Sequence, residues 1–341
     1  MEESIIPHQD LKGFIAELME NYAVVGPVRK ENCFSFDTLE SPADMVAHYD
    51  TSLLPPSKWI FTDNEHLLDY DMRDMTKTKD VINSRKQILA FVHPCDIHGI
   101  NIMDEILGED PVDFHYLKRR RDTIIIGYEC LKPCKDNTLC FDKGFQNAEK
   151  GWDLFFTDIG KGFYVQSATE AGREIISKSR HFQWASYREK ESLHKVREEG
   201  EKSFKKSVQG NINMLSHLLK ESYDDMIWEV EGKKCLSCGA CNIVCPTCYC
   251  FDVKDELNMD MKTGRRYRKW DSCQLRDFCK VASGENFRES VAARVRHRLF
   301  KKEVYLKKRF GRSGCVGCGR CISACIAKIS IIDIYNQVMA K

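Results

Sequence analysis

Four cysteines in the order Cys235-Leu-Ser-Cys238-Gly-Ala-Cys241-Asn-Ile-Val-Cys245-Pro246 leave a chain few choices, and the pattern returns as Cys315-Val-Gly-Cys318-Gly-Arg-Cys321-Ile-Ser-Ala-Cys325. Three thiols this closely spaced can grip three irons of one cubane, while the fourth, departing on a new helix, reaches the other cubane. The spacing therefore predicts two [4Fe–4S] clusters, one on Cys235, Cys238, Cys241 and Cys325 and the other on Cys315, Cys318, Cys321 and Cys245. Gly239, Gly317 and Gly319 are expected to let the backbone approach the inorganic sulfides and offer them N–H groups. The competing reading is a pair of zinc sites, but structural zinc usually takes its ligands as two separated pairs. The second run ends Cys325-Ile326, without the proline of the first, which removes no ligand.

The chain has 17 cysteines in 341 residues. Its first ten residues carry neither the basic start nor the apolar block of an export signal, so a cytoplasmic location is expected and metal ligation outweighs a disulfide framework. The longest apolar runs, such as 124–127, are far too short to span a membrane, and no membrane insertion is expected. A formal net charge of +1 provides no general attraction for nucleic acid. No basic segment interleaved with aromatics marks a nucleic-acid module either. No G-x-G-x-x-G follows a strand, and no Walker loop or nucleophile–base signature stands out. A chain with clusters and no visible substrate site is expected to pass electrons on, not to turn substrates over alone.

The pattern of apolar residues predicts an α+β chain in three parts. Residues 1–185 read as a mixed α/β domain, with buried strands at 87–92 and 123–127 and further strands at 154–157 and 162–165. Between the first two, 96–107 reads as a helix capped by Asp96, which favours a parallel strand pair with both C-terminal ends at one edge. Residues 186–229 read as a polar connecting helical segment. Residues 230–341 read as a mostly helical dicluster ferredoxin domain, with helices at 276–281, 286–300 and 303–310.

Nine cysteines lie outside the two runs. Cys95 and Cys130 follow the strand ends that share an edge, and Cys134 and Cys140 lie on the next loop, so these four thiols could hold a third cluster or a zinc ion. The alternative is that they are buried small hydrophobes or loop residues. Cys248, Cys250 and Cys273 form a second set, which either ligates a further cluster or shields the neighbouring one, and shielding is favoured. Cys33 and Cys279 read as incidental. His93 and His98 flank Cys95, where a capping or core role is expected. The basic stretch from Arg294 through Arg298, Lys302 and Arg309 reads as a solvated face, or else as a dock for acidic partners or a counter-charge for anionic clusters. Lys118 to Arg121 reads as solvated in the same way.

Longer elements carry a resemblance. They are Leu53-Leu-Pro-Pro56, His93-Pro-Cys-Asp-Ile-His98, Gly151-Trp-Asp-Leu154, Thr157-Asp-Ile-Gly160, Cys245-Pro-Thr-Cys-Tyr-Cys250, Trp270-Asp-Ser-Cys273, Ala282-Ser-Gly-Glu-Asn-Phe-Arg288 and the second cysteine run. Through them the chain resembles the beta subunit of cytosolic NAD(P)-linked nickel–iron hydrogenases (sulfhydrogenases) and is similar to the corresponding iron–sulfur subunit of anaerobic sulfite reductase. The resemblance implies an electron relay between a catalytic subunit, nickel–iron in one branch and siroheme in the other, and a flavin- and NAD(P)-binding reductase subunit. It matches Cys95, Cys130 and Cys140. The family usually shows Cys-Phe-Cys where this chain has Thr138-Leu139-Cys140, and here Cys134 stands four residues upstream of the replaced cysteine.

Overall fold

A computed structural model describes residues 3–341. Twelve strands are described: β1 (Glu3–Pro7), β2 (Ala23–Lys30), β3 (Cys33–Thr38), β4 (Glu65–Asp71), β5 (Lys79–Asp80), β6 (Gln87–Val92), β7 (Thr123–Tyr128), β8 (Leu154–Asp158), β9 (Gly162–Ser167), β10 (Gln183–Trp184), β11 (Phe251–Leu257) and β12 (Thr263–Trp270). Eight of them form a mixed sheet in the order β10-β1-β9-β8-β7-β6-β2-β3. Its centre, β2-β6-β7-β8, is parallel, and its flanks are antiparallel. Every residue of β6 is buried, as expected of a central parallel strand covered on both faces.

The strand–helix–strand unit read from the sequence is present, with β6 and β7 parallel. Its helix runs Pro94–Gly108 and begins two residues earlier than expected. Asp96 is not the cap. His93 occupies that position, Pro94 is the first helical residue, and Asp96 lies inside the first turn with its side chain wholly buried. The chain arrives there through a register shift between Leu89 and Val92, where Phe91 is held at φ 58° with its carbonyl accepting from the Tyr49 hydroxyl at 2.7 Å. The irregularity turns the strand end, so that His93 and Cys95 leave at the sheet's C-terminal edge.

The second sheet, β11-β12-β4-β5, has no counterpart among the expected strands. It pairs Tyr267 with His66 and Arg268 with Glu65, and so stitches a hairpin between the two cysteine runs to the N-terminal half. Beneath it lies a buried charge network: Glu65 holds both Arg119 and Arg268, and Arg268 also meets Asp113. Arg119, in the run expected to be solvated, is therefore an interior residue. Arg120 pairs with Asp104 at 3.0 Å.

Two hydrophobic cores result. One fills the large sheet with Phe14, Ile88, Leu89, Ile97, Ile100, Ile125, Phe156 and neighbours. The other gathers Leu215, Leu219 and Trp228 with Val295, Leu299, Ile334 and Tyr335, and it also takes in Leu139 from the cysteine-bearing loop of the N-terminal half. The 186–229 segment thus includes the helices Tyr187–Ser203 and Leu215–Glu221 and contributes to the second core. Between the cysteine runs, 276–281 is only a short turn of 3-10 helix, Arg276–Cys279, and the next helix starts at Val291, capped by Ser290. Among the described residues no helix is long and apolar enough to cross a membrane.

Candidate iron–sulfur centre

Each cysteine run builds the same turn. Gly239 precedes the short helix Ala240–Ile243 at φ 76°, ψ −7°, and Gly319 precedes Arg320–Ser323 at φ 75°, ψ −10°. Both sit in the left-handed region that glycine enters at little cost. The two turns pack on one another and enclose two cavities. Cys235, Cys238, Cys241 and Cys325 line the first, with Val295, Leu299 and Ile331 around them. Cys245, Cys315, Cys318 and Cys321 line the second, with Tyr335 and Lys302. Cys321 borders both cavities.

The glycines serve packing as well as conformation. A Cβ on Gly317 would come within 2.4 Å of the Cys140 nitrogen and the Leu139 carbonyl carbon. The Gly317 carbonyl accepts from the Leu139 N–H at 2.8 Å, which clamps the N-terminal cysteine loop onto the second cavity. Gly317→Ala is expected to cost at least about 1–2 kcal/mol in chemical denaturation, the strain of a side chain in that backbone region, with the clash added. Gly144→Ala is the reference, because Gly144 shares a positive φ of 71° but has open space around it. Equal losses in the two variants would show that the clamp contributes nothing.

The electrostatics of both cavities match an anionic occupant. On the helix Val291–Phe300 and its continuation, Arg294, Arg298 and Lys302 recur at four-residue spacing and are all buried. The expectation of a solvated face fails for this stripe. Arg298 donates to Asn242 Oδ1 at 3.1 Å and to the Cys241 carbonyl at 3.3 Å, and Lys302 donates to the Thr247 carbonyl at 2.8 Å. Among the described residues neither forms an ion pair with a carboxylate. Burial opposes their charge, yet the thiolates of Cys241, Cys321 and Cys245 hold Arg298 above its ordinary range, and those of Cys245 and Cys248 do the same for Lys302. Two buried cations without carboxylate partners are costly unless anions face them. A thiolate-ligated cubane carries that negative charge, so donor set and counter-charge both fit it.

At the ligand thiols burial outweighs the neighbouring cations: it pushes Cys241, Cys315 and Cys318 up to about 12, against the pull of Arg298, Lys143 and Arg320 respectively. On the same helix His297 is held at about 4, by burial first and then by Arg288 and Lys301. The unfolded chain binds that proton below about 6.5 and the folded chain does not, so stability is full above that pH and declines as pH falls toward 4. Partial exposure limits the loss to about 1–2 kcal/mol. His297→Gln should flatten the decline in urea midpoints between pH 7 and 4.5, and an unchanged slope would exclude this histidine as its source.

The loop cysteines gather at the sheet edge. His93, Cys130 and Cys134 bring their ligand atoms within 4.8 Å of one another. His93 stacks on Tyr49 at 4.1 Å between centroids, and its Nδ1 lies 3.8 Å from Cys134 Sγ. A hydrogen bond from Cys130, then His93, holds Cys134 well below the usual thiol range, while Cys130 moves up. Cys95 and Cys140 lie outside that group, Cys95 buried and Cys140 half-buried, in a small apolar cluster with Val316 and Cys318. His93 has the capping and core place expected of it, and what the sequence did not reveal is that its ring also meets Cys130 and Cys134. His98 is structural, its Nε2 lying 2.6 Å from the Asn147 carbonyl. Cys248, Cys250 and Cys273 line a third, smaller cavity with Asn242 and Arg298. Cys33 is exposed on β3, and Cys279 is half-buried on its 3-10 turn.

Paired cysteine turns around two enclosed cavities define an iron–sulfur protein, and the family model for a 4Fe-4S dicluster domain matches residues 234–329. The similarity extends well beyond that domain. The chain is 31% identical over 326 residues to sulfhydrogenase 2 subunit beta of Pyrococcus furiosus, covering 95% of each. It belongs to the sulfhydrogenase beta-subunit family. No solved structure matches it.

Proposed function

We propose that the chain is the electron-transfer subunit of a hydrogenase-like complex. It would hold one [4Fe–4S] cluster on Cys235, Cys238, Cys241 and Cys325 and a second on Cys315, Cys318, Cys321 and Cys245. The observation that carries this reading is the convergence of each quartet on its own cavity with Arg298 bordering both. Bound clusters supply one-electron chemistry at potentials the protein tunes. The thiols hold the iron, Arg298 and Lys302 offset its negative charge, and Val295, Leu299 and Ile331 exclude water.

The route has two ends. At the rim of the first cavity Leu236 and Ile326 are 65% and 78% exposed, an apolar edge suited to a docking protein. At the other end, the crevice with His93, Cys130 and Cys134 is open, and Cys95 and Cys140 connect it to the second cavity. In this reading Cys95, Cys130, Cys134 and Cys140, joined by His93, form a third metal site. Residues 1–185 would then act as a cluster-bearing domain in their own right, joined through 186–229 to the dicluster domain.

The partners in this reading are a nickel–iron catalytic subunit together with a flavin- and NAD(P)-binding reductase subunit, in keeping with the sulfhydrogenase relative. Anaerobic affinity purification of the native assembly, with mass spectrometry and metal analysis, tests it. Co-purification of a flavoprotein with a nickel-containing protein is the expected result. A siroheme protein in place of nickel would overturn the hydrogenase assignment and make the chain part of a sulfite reductase.

A further inference from the structure

Cys248, Cys250 and Cys273 are free thiols, at most 9% exposed, and are used by neither cluster quartet. Unlike the ligand atoms of His93, Cys130 and Cys134, their sulfurs do not all come within 4.8 Å of one another. Their cavity measures about 10 Å³, room for about one water, against about 50 and 30 Å³ at the two quartets. What the site does contain is a pair. Cys250 and Cys273 flank the base of the β11–β12 hairpin, where the Asp271 N–H donates to the Cys250 carbonyl at 2.9 Å, and both sulfurs lie within 4.0 Å of Asn242 Nδ2.

This pair lies beside both cluster sites. Asn242 Nδ2 donates to Cys273 Sγ at 3.0 Å and lies 4.0 Å from Cys250 Sγ, and Asn242 directly follows Cys241 of the first quartet. Toward the second cavity, the Cys248 N–H donates to the Cys245 carbonyl at 3.4 Å. Arg298 borders all three cavities. Burial denies external thiols access, whereas electrons can pass through the intervening residues.

We propose that Cys250 and Cys273 are a redox-active dithiol–disulfide pair that exchanges two electrons with the adjacent clusters. On oxidation two S–H bonds break and one S–S bond forms. The two protons go to solvent, and the two electrons leave one at a time, one to each of the two clusters. On reduction the clusters return the electrons, the S–S bond breaks and both thiols are reprotonated. The pair converts between two-electron and one-electron carriers within one chain. The donor from Asn242, with Gln274 Nε2 at 3.8 Å, suits Cys273 to be the first of the two thiols to lose its proton.

The inference rests on the cluster reading, and its test separates the two. The native complex is equilibrated anaerobically with redox mediators at a series of potentials, quenched in acid with an alkylating agent, and mapped by mass spectrometry. A Cys250–Cys273 linked peptide is expected at the oxidising end, its ratio to the alkylated form changing tenfold for about 30 mV, as for a two-electron couple. In parallel, Cys273→Ser is expected to retain full iron content and cluster EPR signals while losing the linked peptide. Alkylation of both cysteines at every potential would overturn the pair. Loss of about four irons from Cys273→Ser would also overturn it by making Cys273 a ligand. Iron content of the wild type reports on the clusters whatever the peptide map shows.

Discussion

Cys318→Ser is expected to remove about four irons from each chain and to slow electron flow through the native complex by roughly 100-fold or more. Cys318 lines the second cavity with Cys245, Cys315 and Cys321. It also packs against the apolar cluster that contains Cys95 and Cys140, so in the proposed route its loss removes the link between the crevice and the second cavity. A serine hydroxyl is a harder, poorer ligand for iron than a thiolate. Iron analysis, EPR of the reduced protein and turnover of the complex are the measurements. Cys33→Ser, on the exposed strand β3, is the comparison and should change none of them. Full iron with unchanged spectra in Cys318→Ser would refute the ligand assignment.

Asp96→Ala is expected to destabilise the protein by about 3–5 kcal/mol, because it strands a buried guanidinium. The Asp96 carboxylate takes Arg320 at 2.6 and 2.7 Å, and Arg320 donates a further 2.8 Å bond to the Ser52 carbonyl. Both side chains are almost wholly enclosed. This pair locks the first turn of Pro94–Gly108 to the helix Arg320–Ser323 of the second cysteine run. The double variant Asp96→Ala/Arg320→Met should recover much of the loss, since the uncompensated charge is gone. Denaturant midpoints of the three proteins decide it: a double variant no more stable than Asp96→Ala would mean that the stranded charge was not the cause.

Much of this site could be read from the chain because ligand spacing is a local property. Three cysteines at every third position followed by a fourth can be recognised wherever the segment lies, and the parallel pair of β6 and β7 followed from unbroken apolar runs around an amphipathic stretch. The hairpin of β11 and β12 was hidden because its one apolar alternation, Phe251, Val253 and Leu257, is interrupted by Asp255 and stays unburied. All of Phe251–Leu257 is exposed, and the strands are matched by charge, with Arg265 on Glu256 and Arg266 on Asp255, each at 2.7 Å. The cap of Pro94–Gly108 was misplaced because Asp96 resembles a capping residue in isolation, and only Arg320, far along the chain, gives its carboxylate another use.

The cysteine runs by themselves determined the kind of ligand: two runs of closely spaced soft thiols on glycine turns suit iron–sulfur clusters, and that spacing is local to each run. Only the tertiary structure decided which neighbours those ligands acquire. It turned one face of a basic helix inward, so that Arg298 and Lys302 became counter-charges, and it placed His93 beside Cys130 and Cys134 at a bent strand end. It also closed the β11–β12 hairpin so that Cys250 and Cys273 both approach Asn242. The physical reason is that three ligands of each set lie within a few residues of one another, whereas the fourth ligand, the burial of a charge and the approach of distant thiols depend on how separate segments pack.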